Sequence, residues 1–200
     1  LWRDKLGQIS LATTTLFWGA GATLQFIVIK WAEQALHLDL SKASMLQGVV
    51  AVGVAVGAIL AARMVSMRSS VKVIPLGIAM GVIVNVMIFV TDMSLAMALM
   101  VLIGGLSGFF VVPMNALLQH RGHILMGAGH SIAVQNFNEN LSILIMTGLY
   151  AFLISSGVSI NTVVVAFGLF VAGTMYMVKR RHDANQREFD SVSELEDVRH

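Results

Sequence analysis

The residues best suited to chemistry form one polar segment inside a long apolar stretch. Residues 135–140 read Gln-Asn-Phe-Asn-Glu-Asn and lie within the apolar run 128–154, well away from either end of that run. Gln135 and Asn136 precede Glu139 by four and three residues, so a helix would carry all three side chains on one face. The segment therefore predicts a helix with one strongly polar side.

Two interpretations fit this polar side. A carboxylate near the centre of a bilayer costs about 2.5–3.5 kcal/mol, so we expect Glu139 to face protein or water rather than lipid. With Gln135, Asn136 and Asn140 it would then line a wet cavity that binds a polar headgroup or relays a proton. The alternative is a buried polar network that fixes helix packing. An ionisable residue at this depth favours the functional interpretation.

Three further amides stand alone in apolar runs: Gln25, Asn85 and Asn115. Single amides in membrane helices more often make one interhelical hydrogen bond than a substrate contact. Asn115 follows Pro113, which removes a backbone N–H and predicts a kink there. We therefore predict a structural role for Asn85 and keep Gln25 and Asn115 as candidates for the same polar site.

Other kinds of site lack the residues that they require. His120 and His123 have an HxxH spacing, but no carboxylate or thiolate stands at metal-ligand spacing from them, which favours a solvated loop. The sequence contains no cysteine, no Walker loop, no GxSxG elbow and no dinucleotide fingerprint. We accordingly predict no metal, no cofactor and no enzyme activity.

The elements that position the polar segment follow from composition. Hydrophobic residues make up 56% of the 200 residues and charged residues only 12%, whereas soluble domains carry about 25% charged residues. A bilayer core needs about 20 apolar residues per helix. Six runs of that kind predict an all-α membrane protein with a bundle of six transmembrane helices: 9–29, 45–62, 71–90, 95–118, 128–154 and 160–178.

Basic residues give this bundle an orientation, because cytoplasmic loops carry an excess of Lys and Arg. Only Lys30 and Lys42 flank the spans on one side. On the other side lie Arg3, Lys5, Arg63, Arg68, Lys72, Arg121, Lys179, Arg180 and Arg181. We therefore expect both ends of the chain in the cytoplasm, and the loops around Gln34, Asp92 and Ser156 outside. The basic residues do not cluster as a nucleic-acid-binding face would require.

Glycines four residues apart recur within three of the runs and predict flat helix faces that pack closely against neighbours. These pairs are Gly53 with Gly57, Gly77 with Gly81, and Gly104 with Gly108. Residues 1–8 precede the first run without an initiator Met or a signal-like segment, so we expect a cytoplasmic linker from a longer protein. Residues 179–200 form a polar tail, most simply a solvated cytoplasmic extension.

Three segments resemble the C-terminal half of the bacterial lysophospholipid transporters, within the major facilitator superfamily. They are residues 16–21 (LFWGAG), residues 108–119 (GFFVVPMNALLQ), and residues 127–140, which begin with GAG and end with the polar segment. The similarity extends from residue 1 to about residue 178. It implies one of two six-helix halves that pack around a site near the bilayer midplane, with an N-terminal half as partner.

The resemblance also implies an activity. The protein would sit in the bacterial inner membrane and move lysophosphatidylethanolamine and lysophosphatidylglycerol from the outer to the inner leaflet, without ATP, for reacylation. Its partners would be membrane lipids, the lysophospholipid, and an acyltransferase and acyl-carrier-protein synthetase on the cytoplasmic face. The polar tail would then be either a solvated extension or a docking segment for the acyltransferase. The path would be lined by Gln135, Asn136, Glu139, Asn140, Asn115 and Gln25. Two other functions stay open: proton-coupled export of a small soluble solute, and a non-transporting membrane scaffold.

Overall fold

The computed structural model describes residues 1–193 and 195, and all regular elements in that part of the chain are helical. Within these described residues, six helices or helical units are long and apolar enough to cross a membrane, which confirms the predicted all-α bundle. The α-helices are α1 (Lys5–Ala35), α2 (Leu40–Met64), α3 (Ile74–Val84), α4 (Met93–Met126), α5 (Ala128–Ser155) and α6 (Ile160–Glu188).

Four of the long helices begin where a short polar side chain caps the first turn. The side chains of Asp4, Asp39, Asp92 and Ser159 accept hydrogen bonds from backbone N–H groups at the starts of α1, α2, α4 and α6. Such caps satisfy N–H groups that have no partner within the helix. A single residue, Gly127, joins α4 to α5 with a φ of 77°, a conformation that glycine adopts without steric cost.

The third span is not one continuous α-helix. A 3₁₀ segment, Met67–Val73, leads into α3, and a second 3₁₀ segment, Asn85–Phe89, follows it. Asn85 lies at the second junction, where its side-chain amide donates to the Gly81 carbonyl at 3.0 Å. A Cβ atom on Gly168 of α6 would lie 2.8 Å from Asn85 Cγ. These contacts agree with the structural role predicted for Asn85.

Helix α1 occupies the centre of the bundle and contacts α2, α4, α5 and α6. Helix α2 packs chiefly on α4, and α3 packs chiefly on α6, whereas α5 hardly touches α6. The chain crosses back and forth, so the first residues, the last turns of α6 and the α2–α3 and α4–α5 connections share one end. We call this the terminal end and the opposite one the distal end.

Glycine makes the contact between α2 and α4 close. A Cβ atom on Gly53 would lie 2.9 Å from the backbone nitrogen of Gly105, and one on Gly57 would lie 2.9 Å from that of Phe109. From the other side, a Cβ atom on Gly108 would lie 2.8 Å from the nitrogen of Ala58. Because these neighbours are backbone atoms, a larger residue could not be accommodated by a side-chain movement. The predicted packing role of the glycine pairs is confirmed for this contact.

The tail differs from the solvated extension that the sequence predicted. Helix α6 continues to Glu188, ten residues past the predicted span, and its residue Asn185 is buried. Asn185 donates to the Lys5 carbonyl at 3.3 Å, and Lys5 Nζ lies 3.1 Å from the Glu188 carboxylate. Farther along, Leu195 is only 2% exposed. The described part of the tail thus folds back on the start of α1; Glu194, Glu196 and Asp197, three of its acids, lie outside the described residues.

Candidate functional site

Helix α5 is the most open span of the bundle. Of its 28 residues only Ser131 and Glu139 are buried, and both are polar. Glu139 lies about 17 Å along a helix about 42 Å long, close to mid-depth. The structure therefore places the predicted carboxylate inside a membrane-crossing helix, with most of that helix uncovered by its own bundle.

Glu139 belongs to a small network between α5 and α4. Gln135 Nε2 donates to Glu139 Oε1 at 2.8 Å, across one helical turn, and lies 3.4 Å from Asn115 Oδ1 on α4. The three candidates Gln135, Glu139 and Asn115 are thus brought together. A buried carboxylate with one amide donor keeps acceptor sites that a further donor, a cation or water can use.

Asn136 and Asn140 lie on the outer side of the same helix. Both are exposed, and the Asn140 side chain donates to the Asn136 carbonyl at 2.7 Å. Within residues 1–193 and 195, the side-chain amide of Asn136 makes no hydrogen bond. Amide groups cannot face hydrocarbon without a large cost, since lipid offers them no partner. This side of α5 therefore requires water, a ligand or further protein against it.

Gln25 lies apart from this network. Gly19 of α1 meets Ser142 of α5, where a glycine Cβ would come 3.1 Å from the Ser142 carbonyl carbon. Gln25 is six residues beyond Gly19 toward the distal end, and Glu139 is three residues before Ser142 toward the terminal end. At 1.5 Å per residue the two differ by about 13 Å in depth. The Gln25 side chain is exposed, so it can join only a longer path that includes Glu139.

Sequence reasoning missed one amide near Gln25. Gln47 on α2 donates through Nε2 to the Gln25 carbonyl at 2.9 Å, which links α1 and α2 near the distal end. The signal was present, because Gln47 is another lone amide inside an apolar run. The pairing itself could not be foreseen without knowing how α1 and α2 pack.

The predicted loop around His120 and His123 does not form. Both residues lie on the last turns of α4, which runs to Met126, and both side chains are exposed. Among the described residues there is no group of three His, Asp or Glu side chains that could hold a metal ion. The polar chemistry of this part of the chain therefore lies in the amides and the carboxylate of α4 and α5.

Comparisons with known proteins agree with the resemblance seen in the sequence. The chain is 44% identical over 161 residues to a lysophospholipid transporter, LplT, of Yersinia enterocolitica, which covers 80% of this chain and 40% of the relative. It is 44% identical over 164 residues to LplT proteins of Yersinia pestis and Yersinia pseudotuberculosis, covering 82% of this chain and 40% of each relative.

The chain thus spans well under half the length of these curated relatives. No protein-family model matches it. No solved structure matches it either. The predicted resemblance is confirmed over four-fifths of the chain.

Proposed function

We propose that this chain is the C-terminal half of a lysophospholipid transporter and supplies one wall of the path for the lipid headgroup. The observation that carries the proposal is the exposed amide side of α5, which we call the amide face: Asn136 and Asn140, with Gln135 and Glu139 beside them. The relatives are named lysophospholipid transporters and are longer than this chain. Their names and length support the proposal that this chain is one half of a transporter rather than an enzyme or a complete scaffold.

The amide face suits a headgroup that must leave water. A phosphate with an ethanolamine or glycerol substituent offers acceptors and donors, and Asn136 and Asn140 can replace part of its hydration shell. Glu139 can accept from an ammonium group or a hydroxyl. The single acyl chain would stay in contact with lipid at the gap between the two halves, so only the polar part needs a protein path.

The finer activity is part of the same proposal. The protein moves lysophosphatidylethanolamine and lysophosphatidylglycerol from the outer to the inner leaflet of the bacterial inner membrane, without ATP, for reacylation by a cytoplasmic acyltransferase and acyl-carrier-protein synthetase. Both ends of this chain are cytoplasmic, in keeping with the basic residues at the terminal end. Rocking of the two halves against each other would expose the amide face to one side at a time.

Transport measurements on the full-length protein test this proposal. The protein is reconstituted in liposomes without ATP, and entry of fluorescent lysophosphatidylethanolamine into the inner leaflet is followed. Asn136→Ala, Asn140→Ala and Glu139→Gln should each slow this movement about tenfold, the value of one hydrogen bond to a polar or charged group. Asn138→Ala is the matched control, since Asn138 points about 160° away from both Asn136 and Asn140 around α5, and its rate should stay within about twofold.

Two outcomes would count against the proposal. Unchanged movement in all three amide-face variants would remove these residues from the path. Movement of a soluble amphiphile, with none of either lysophospholipid, would favour the alternative of a proton-coupled exporter that uses Glu139. A lysophosphatidylglycerol arm, run in parallel, tests the second headgroup.

A further inference from the structure

An apolar groove opens between α1, α5 and α6 toward the distal end, where α5 stands away from α6. Its volume is about 410 Å³. On α5 its lining runs from Ile145 to Leu153, a length of about 12 Å along the helix axis. The lining includes Thr23, Ile27, Leu149, Tyr150, Ala166 and Phe170.

The lining of the groove favours an apolar occupant. Its two polar side chains already have partners, since the Thr23 hydroxyl donates to the Gly19 carbonyl at 2.9 Å and the Tyr150 hydroxyl donates to the Phe26 carbonyl at 3.3 Å. An apolar groove whose two hydroxyl hydrogens are already bonded offers water few hydrogen bonds and favours an apolar occupant. Beside helices that cross a membrane, the most abundant apolar group is a lipid acyl chain.

A pair of opposite charges stands at the distal mouth of the groove. Lys30 follows Ile27 by three residues, so it continues the groove-lining side of α1 one turn farther out. Its Nζ atom lies 3.0 Å from Glu33 Oε2, and both side chains are partly exposed, at 36% and 58%. Phe26, one helical turn before Lys30 on α1, stacks on the groove-lining Tyr150 with ring centroids 6.1 Å apart. A headgroup at this mouth would meet one positive and one negative group.

The groove lies farther toward the distal end than Glu139. Its lining on α5 covers a wide arc: Leu149 and Ile145 point about 140° and 180° away from Asn136, whereas Tyr150 points only about 40° from Asn136, counting 100° per residue. The close contact of Gly19 with Ser142 lies between the groove and the level of Glu139. A lipid in the groove would therefore sit distal to the level of Glu139, with that close contact between them.

We propose that this groove is a binding site for a zwitterionic bilayer phospholipid with a primary ammonium group, of the phosphatidylethanolamine type. One acyl chain fills the groove, the phosphate pairs with Lys30, and the ammonium pairs with Glu33. This acyl chain fills the space where the side chains of α5 and α6 hardly contact each other. This site is independent of the lysophospholipid movement proposed above.

Photolabelling tests the site without any transport reaction. The full-length protein is placed in nanodiscs that contain phosphatidylethanolamine with a diazirine in the middle of one acyl chain, and adducts are mapped by mass spectrometry. Adducts should concentrate on Leu149, Ala166 and Phe170. Ala166→Trp fills the groove and should lower this labelling about tenfold, the value of roughly two buried methylenes. Leu169→Trp places the same side chain at an exposed neighbouring position of α6 outside the lining and should change the labelling less than about twofold.

Headgroup arms test the charge pair. Lys30→Gln with Glu33→Gln should abolish the preference for phosphatidylethanolamine over phosphatidylglycerol while chain labelling continues. Equal labelling of Leu169 and the groove residues would show ordinary lipid contact and overturn the site. Stronger labelling by a lysophospholipid probe than by the two-chain probe would also overturn it, because the groove would then hold the transported lipid. Loss of lysophospholipid movement alone would bear on the proposed function and not on this site.

Discussion

Two polar regions of the molecule are built in opposite ways. At the terminal end, Asp4 accepts from the Gly7 N–H at 2.7 Å and from Arg121 Nε of α4 at 3.0 Å, and the same carboxylate pairs with Arg121 Nη2. On the amide face, Asn136 and Asn140 are exposed, and neither side chain bonds another helix of the described chain. The terminal region is closed by its own residues, whereas the amide face is left open.

The difference shows which polar groups hold this half together. A buried ion pair near a helix start holds together the two helices that carry its partners. Removal of one partner leaves an uncompensated buried charge, which destabilises the protein. An open amide contributes little to the half that carries it and has its partner elsewhere. The terminal region should therefore govern stability, and the amide face should govern transport.

The largest effect on stability is expected from Arg121→Ala. Asp4 and Arg121 are 15% and 19% exposed, so the substitution leaves a mostly buried carboxylate without its guanidinium. We expect a loss of about 2–3 kcal/mol in the free energy of unfolding of the full-length protein in detergent. Arg63→Ala is the control, because Arg63 is exposed at the end of α2. Equal small losses in both variants would contradict a structural role for the Asp4–Arg121 pair.

Acid should also lower the free energy of unfolding through the Asp4–Arg121 pair, by less than the Arg121→Ala substitution does. Burial raises the pKa of Asp4, but the hydrogen bond and charge of Arg121 and the Gly7 N–H lower it further, so it lies below its usual value. A lowered pKa adds stability above the unfolded value of about 3.9, and that contribution is lost as the pH falls through the folded pKa. Unfolding measured at pH 7 and below pH 4 should show a smaller acid loss for Asp4→Asn than for the parent. Identical losses would mean that Asp4 is not linked to folding.

A smaller effect is expected where the terminal region reaches solvent. Lys5 and Glu188 form an ion pair at 3.1 Å, but the Glu188 side chain is 72% exposed. Exposed ion pairs contribute about 0.2–1 kcal/mol. Glu188→Gln should lower the unfolding free energy by about 0.5 kcal/mol or less, and 0.5 M salt should reduce the difference further. A loss as large as that of Arg121→Ala would show that the tail holds α1 far more firmly than this contact explains.

The smallest stability effects are expected on the amide face itself. Asn136→Ala and Asn140→Ala should each change the unfolding free energy by less than about 0.5 kcal/mol, because neither side chain bonds another helix of the described chain. The same two variants are expected to slow lysophospholipid movement. A loss of 2 kcal/mol or more with normal movement would restore the interpretation of α5 as a packing network.

Much of the fold follows from the sequence, since lipid imposes long apolar runs on any spanning helix. The predicted runs 9–29 and 160–178 lie inside α1 and α6. The caps Asp4 and Ser159 at the starts of these helices were not predicted. The 3₁₀ segments and the folded tail depend on contacts between distant helices. No periodicity in residues 179–193 indicates that Asn185 meets Lys5.

The candidate site divides in the same way. The contact of Gln135 with Glu139 follows from spacing within one helix, so the sequence predicts it. The approach of Asn115, and the depth at which Gln25 lies, depend on how α1, α4 and α5 are set against each other. Sequence reasoning placed Gln25 with the others because it gives the residue type but not its axial position relative to Glu139.

The central claim is that the amide face lines a wet path and does not face lipid, and thiol accessibility tests it most directly. This chain has no cysteine, so Asn140→Cys and Leu141→Cys can be compared in a cysteine-free full-length protein. The two positions share one depth and differ by 100° around α5. A membrane-impermeant thiol reagent should modify Asn140→Cys at least about tenfold faster than Leu141→Cys, since water reaches only the former. Equal, slow modification of both would place the amide face against hydrocarbon and contradict the account.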